Sequence, residues 1–318
     1  MRDYDASVVE KAIWAVLVGE PMEDAANGAG ISPSRLADAV ERYRFAGRAS
    51  LDTYPEGWHQ VNIEFADYPT AAEAFRTYLL PCLRGAPVGE WWFVRKYPCW
   101  RLRVHPSPDT PVEETIEHVT TALDSAVSWN VVKAWRPYLY EPESNAFGGA
   151  EGMTIAHRMF HTDSLGVLDY YQHVARRTDG LLDAKATSLL VTTLFMRAAG
   201  LEWGEQGDVW GQIEARRPLP EDVPADKVNA MVDTMRQLLM VNARPSLTDG
   251  PLVPLQSWVT GMECGGRALA DTARDGRLGL GLRGVLFRHV VFHWNRMGFS
   301  VRQQAIWSRA AREATLGQ

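Results

Sequence analysis

At 318 residues the chain has the length of one large or two modest domains, and it can bury roughly three quarters of the surface its unfolded form exposes without disulfide staples. A net charge of −6 and a pI near 5.8 disfavour general nucleic-acid binding. No run approaches the ~20 apolar residues of a membrane span. Cys82, Cys99 and Cys264 are far apart and in no zinc-like spacing, which points to a reducing cytoplasm. Asp3, Asp5 and Glu10 stand where a secretory signal would be basic.

The chain opens with helical periodicity. Residues 7–18 form an amphipathic pattern that stops at Gly19, a second short helix over 21–29 ends at Gly30, and Ser32-Pro33 opens a third over 33–46 with Ser32 as N-cap. The pattern resembles a helix-turn-helix. Up to Arg48, however, six basic residues face eight acidic ones, so the electrostatic footprint of a DNA reader is missing. A helical cap that docks a peptide is the expectation for 1–50.

From Leu51 the period changes to two. His59, Val61, Ile63 and Phe65 alternate with Gln60, Asn62 and Glu64, which predicts a strand. A helix over 69–84 follows, bent or ended by Pro81. Strands are expected at 91–97 and 100–105, the second placing Trp100, Leu102 and Val104 on one face and Arg101, Arg103 and His105 on the other. A helix from Pro111 to about Val127, with Thr110 as N-cap, leads to a strand over 130–140. The order β-α-β-β-α-β is that of a ferredoxin-like antiparallel sheet with two helices on one face. Its other face would carry Arg101 and Arg103 toward a ligand. The fold class expected is therefore α+β: a ferredoxin-like half over 51–149 and a mainly helical half over 150–318. In the second half, helices are expected at 150–161, 164–177, 181–199, 225–241, 255–275, 280–297 and from Ser300 onward, with loops over 216–224 and 245–254.

Five stretches carry a resemblance: WHQVNIEF, WWFVRKYPCWRLRVH, LYEPESNAFGG, MFHTDS and HWNRMG. Their order and spacing are similar to those of thiopeptide-type bacteriocin biosynthesis proteins, which resemble the C-terminal elimination domain of lantibiotic dehydratases; the likeness covers about 55–300. The resemblance implies one of two chemistries. Elimination members remove glutamate from glutamylated Ser or Thr of a precursor peptide. A divergent branch joins two dehydroalanines in a formal [4+2] aza-cycloaddition, forms a pyridine-type ring and expels the leader. Eliminating members carry Glu-x-x-Arg-Tyr-Gly-Gly, where the Arg engages the departing carboxylates. Here Glu143 stays, while Ala146 and Phe147 replace the Arg and the Tyr. Of a His-Met-x-x-Asn-Arg pattern, Val291 replaces the first His, and His293, Asn295 and Arg296 remain nearby. These departures favour cycloaddition, with elimination or a non-catalytic leader-binding scaffold as alternatives.

The cyclisation needs two segments held together and groups that move protons at an amide and at a departing hydroxyl. It implies no metal or redox cofactor, and the partner implied is a precursor peptide with a leader and a dehydroalanine-containing core. His161, Asp163, Ser164, Tyr140 and Glu143 are the expected catalytic set. Arg95, Arg101, Arg103, Trp91, Gln256, Ser257, Trp258, His293 and Arg296 are expected to bind substrate. Plainer readings stand beside these. Asp163 or Ser164 is equally an N-cap at a helix junction, the three arginines equally pair with Glu141 or Glu143, and His293 equally is a hydrogen-bonded core residue. His157 and His161 are four apart, but no third metal ligand accompanies them.

Overall fold

A computed structural model describes residues 6–51 and 57–317; Asp3 and Asp5 lie outside them. Three helices open the chain: α1 (Ala6–Leu17), α2 (Met22–Ala29) and α3 (Pro33–Leu51). Gly30 closes α2 in the left-handed region at φ 66°, and Ser32 Oγ accepts the Arg35 N–H at 3.3 Å, as the Ser-Pro signal predicts. These helices enclose their own small core around Ile13, Ala26, Leu36 and Val40.

Next come β1 (His59–Phe65), α4 (Ala71–Ala74), β2 (Val88–Lys96), β3 (Cys99–Pro106), α5 (Val112–Ser128) and β4 (Val132–Tyr138). α4 runs on as a π turn over Phe75–Leu79 and a 3-10 turn over Leu80–Leu83, where Pro81 removes a helical donor. The antiparallel sheet has the order β2-β3-β1-β4, the ferredoxin-like arrangement. Thr110 does not cap α5. Pro111 takes that position, and the Thr110 hydroxyl bonds Ser107 Oγ at 2.8 Å instead.

Directly opposed residues of antiparallel strands share a face. Leu102 opposes Val61 and Phe93, and Trp100 opposes Ile63 and Arg95. That face is apolar and packs beneath the Phe75 turn, whose ring stacks on Trp100 at 5.5 Å. Arg103 opposes Gln60 and Trp92, and Arg101 opposes Asn62 and Val94, so the second face is polar and basic, as the alternation predicts.

After a 3-10 turn at Ser144–Phe147 the chain is helical: α6 (Ala150–Ala175), α7 (Ala184–Ala198), α8 (Trp203–Arg216), α9 (Ala225–Asn229), α10 (Val232–Met240), α11 (Arg244–Asp249), α12 (Gln256–Arg274), α13 (Leu282–Met297) and α14 (Val301–Leu316). The helices expected at 150–161 and 164–177 are one, the helix expected at 225–241 is two, α8 fills a stretch with no expected element, and α11 occupies an expected loop. α14 opens on a capping box in which Ser300 and Gln303 satisfy each other's backbone N–H. One continuous core joins the sheet to α6–α14.

Candidate functional site

The sheet has two edges. β4 is one, and β2 is the other, closed by side chains of α6 and α13. His161 Nδ1 lies 3.1 Å from the Trp91 amide nitrogen and 2.9 Å from its carbonyl oxygen. The Phe93 N–H donates to Ser164 Oγ at 3.3 Å, and Arg296 Nε donates to the Phe93 carbonyl at 3.0 Å. An edge strand buried against helices leaves its outward amides without water, so each must find a protein partner. α6 and α13 supply them.

Behind that edge sits Asp163, 1% exposed. Its Oδ1 accepts from Trp258 Nε1 and from His293 Nδ1, both at 2.9 Å, and its Oδ2 from Arg296 Nη1. Ser188 Oγ completes the chain, sharing a hydrogen bond of 2.8 Å with His293 Nε2. Burial alone would raise the Asp163 pKa, but His293 and Arg296 beside it bring it down to about 2. Asp163, Ser164, His293 and Arg296 form a packed network, each no more than 1% exposed. Asp163 and Ser164 are not N-caps, because α6 runs through them. Gly166 lets this network close, since a Cβ there would come within 2.3 Å of the Trp258 ring.

Other expected binding residues are dispersed. Trp91 and Arg95 point to the apolar face, where the Arg95 guanidinium lies over Trp100 at 4.7 Å and Tyr171 at 5.3 Å. Gln256 and Ser257 are exposed at the start of α12, where Ser257 borders a small separate cavity of about 190 Å³. Among the described residues, neither Arg95, Arg101 nor Arg103 forms an ion pair with Glu141 or Glu143.

What the polar face does bring together is a group around Arg103 and Tyr140. Arg103 Nε donates to Gln60 Oε1 at 2.8 Å, and its guanidinium covers the Trp92 ring at 4.1 Å and the Tyr140 ring at 5.2 Å. Its Nη1 is buried with no partner, and so is Trp92 Nε1. Burial lowers the Arg103 pKa to about 10, and Tyr140 opposes that shift. The Tyr140 hydroxyl and His157 Nε2 share a hydrogen bond of 2.7 Å. Burial first, then the charges of His105 and Arg103, hold the His157 pKa down at about 3, so its imidazole is neutral. Burial pushes the Tyr140 phenol above its ordinary range, which keeps it a donor.

His157 also lines a cleft of about 560 Å³ whose walls include Trp58, Gly89, Glu90, His105 and Thr154. Trp58 lies against His157 at 4.3 Å and His105 at 5.3 Å. Gly89 keeps the strand pair closed there, because a Cβ would stand 2.6 Å from the Pro106 carbonyl. Sequence reading missed His157 and Trp58 as site residues. The four-residue offset from His161 was visible, but its partner Tyr140 is brought in only by the fold. Glu143 is exposed and within electrostatic reach of Arg103. In all, the arrangement offers a neutral acceptor, a protonated phenol and a buried cation beside a cleft.

The family model for the lantibiotic biosynthesis dehydratase C-terminal region matches residues 58–315. Three solved structures are similar in fold. The tRNA-dependent lantibiotic dehydratase MibB from Microbispora sp. 107891 has a TM-score of 0.57 at 14% identity, covering 83% of this chain and 28% of that one. The pyridine synthase TbtD from thiomuracin biosynthesis has a TM-score of 0.59 at 14% identity, covering 82% of this chain and 98% of that one. TsrL has a TM-score of 0.51 at 16% identity, covering 81% and 95%. The match thus takes in about a quarter of MibB but nearly all of TbtD and TsrL. No curated protein matches the sequence.

Proposed function

The chain belongs to the lantibiotic biosynthesis dehydratase C-terminal family, and from that premise we propose that it catalyses a formal [4+2] aza-cycloaddition. Two dehydroalanines of a ribosomally made, modified precursor peptide would be joined into a six-membered nitrogen heterocycle, with the leader released. One observation carries this choice over glutamate elimination. At the Ser144–Phe147 turn, Ala146 holds the position where eliminating members have an arginine, and the Phe147 ring is buried against Phe160 and Phe292, each at 5.1 Å. No cation extends from this turn toward a departing dicarboxylate. Losing one partner of such a charged pair costs roughly 2–5 kcal/mol.

Cycloaddition asks for different things: two neutral segments held close, worth up to about 7–11 kcal/mol, and protons moved at one amide. Tyr140 and His157 suit the second task. The phenol gives its proton to the amide oxygen as the neutral His157 imidazole takes the amide N–H proton, and the imidazolium then returns that proton to the phenolate, so the amide becomes its imidic acid and the pair ends as it began. Arg103 beside the phenol steadies charge that develops there. When the ring hydroxyl leaves as water, the phenol protonates it and the proton lost from the ring passes to His157 and back to the phenolate. In this reading Tyr140, Glu143, Arg101 and Arg103 remain at the site, His157 joins them, and the Asp163 network positions β2 behind it.

The test is incubation of the purified protein with a bis-dehydroalanine precursor. Loss of the leader mass with a new aromatic absorbance is expected, and a glutamylated peptide should stay unchanged. The retained Glu143 and Arg296 favour elimination as the second reading, and the opposite pair of results would establish it.

A further inference from the structure

Apart from the Trp58–His157 cleft, a wider groove of about 940 Å³ opens between α8 and the first turns of α13, bordered by Gly211, Arg216, Gly281, Arg283, Gly284 and Arg288. Its wall is bare at the glycines. A Cβ added at Gly281 or Gly284 would meet nothing within 4 Å, and at Gly211 only the Arg312 side chain, no nearer than 3.4 Å. A ligand can therefore approach the helix backbones there.

Phe287 lies beneath Arg216 and Arg288, whose guanidinium carbons stand 4.2 and 4.5 Å from its ring centre. Each arginine bonds a carbonyl of its own helix, Gln212 for Arg216 and Gly284 for Arg288. Among the described residues, neither has an ion-pair partner. The groove's own acids are already engaged: Asp208 with Arg283, and Glu205 with the Glu202 backbone N–H at 3.0 Å. Two guanidiniums share one ring without a carboxylate, in a chain that carries 39 acidic and 33 basic residues. Leu201, Leu280 and Leu316 add apolar surface between them. Burial and then the like charge of Arg216 lower the Arg288 pKa, while Glu143 opposes the shift. Glu143 lies within electrostatic reach of both Arg288 and Arg103.

We propose that this groove seats an acidic stretch of the peptide substrate, outside the reacting segment, with its carboxylates on Arg216 and Arg288 and its apolar side chains on the leucines. This rests on the reading of the chain as a peptide-modifying enzyme. Carboxylates suit the pair because each guanidinium keeps donors facing the groove, and charge complementarity supplies both affinity and orientation.

Fluorescence anisotropy of a labelled peptide of glutamates interspersed with leucine and serine, beside its glutamine counterpart, tests the idea on the full chain. The acidic peptide should bind at least tenfold tighter than its counterpart, and R216A/R288A should erase that difference. R216E/R288E should reverse it in favour of a lysine version of the peptide, a result that a misfolded protein would not give. Unchanged preference in the variants overturns the proposal, as does equal binding of the glutamine peptide. Displacement by equimolar inorganic phosphate, or tighter binding of an RNA duplex, overturns it too. Binding is read without turnover, so failed cyclisation with charge-selective binding sinks the cycloaddition reading alone. Cyclisation with charge-blind binding sinks only the groove.

Discussion

Tyr140 and His157 meet because a residue just past β4 and one in the second turn of α6 arrive at the same point above Trp92. Tyr140→Phe leaves His157 Nε2 without its hydroxyl partner and removes the phenol beside Arg103. Turnover of a bis-dehydroalanine peptide should fall about 10²–10⁴-fold, with a loss of about 1–3 kcal/mol in urea unfolding. The titrations make a separate prediction. His157 and His289 are both held near pKa 3 by burial, below the ordinary 6.5. The unfolded chain binds those protons first, so their contribution is complete above about pH 6.5 and is lost as pH falls toward 3, at about 1.4 kcal/mol per pH unit for each. Asp163, folded near pKa 2 against 3.8, adds a second loss between about pH 4 and 2. His289→Leu should flatten the first slope by one proton, read from urea unfolding at pH 7, 6, 5 and 4.

Strand alternation told the two faces of the sheet apart, because Trp100, Leu102 and Val104 can only be a core face when arginines flank them. It did not tell that β2 would be an edge sealed by α6. His161, Asp163 and Ser164 look like chemistry in one dimension, since imidazole, carboxylate and hydroxyl also make catalytic sets. Their partners, Trp91, Phe93, Trp258, His293 and Arg296, lie about 70 to 130 positions away, and no local signal reports that. The same partners explain why α6 is one helix. Polar residues at 161, 163 and 164 suggest a cap, yet their side chains bond other elements, so the backbone continues. Ser164→Ala should then strand the Phe93 N–H and cost about 1–3 kcal/mol. Asp163→Ala should cost about 3–5 kcal/mol, because Arg296 is left buried with no counter-charge. Chemical denaturation of both variants against wild type checks the order. Equal stability of all three would mean the edge is not sealed as described.

Across the whole chain the two cores are separate: the apolar cluster of the sheet and α6–α14 begins at Val61, and that of α1–α3 ends with Val40 and Tyr43. α3 still meets the 144–147 turn, which follows Glu143 in the chain. Should α1–α3 dock a precursor, that contact would let them do so without carrying the chemistry. Removing residues 1–51 takes nothing from the larger core, so its unfolding transition should remain cooperative and near its original midpoint. If the cap docks peptide, KM for a full precursor should rise by at least tenfold, about 1.4 kcal/mol of lost binding, while kcat stays put. A short bis-dehydroalanine peptide that never reaches the cap should be processed as before. Were kcat to fall equally on both peptides, α3 would be shaping the turn and the site itself, and the cap would belong to the catalytic body.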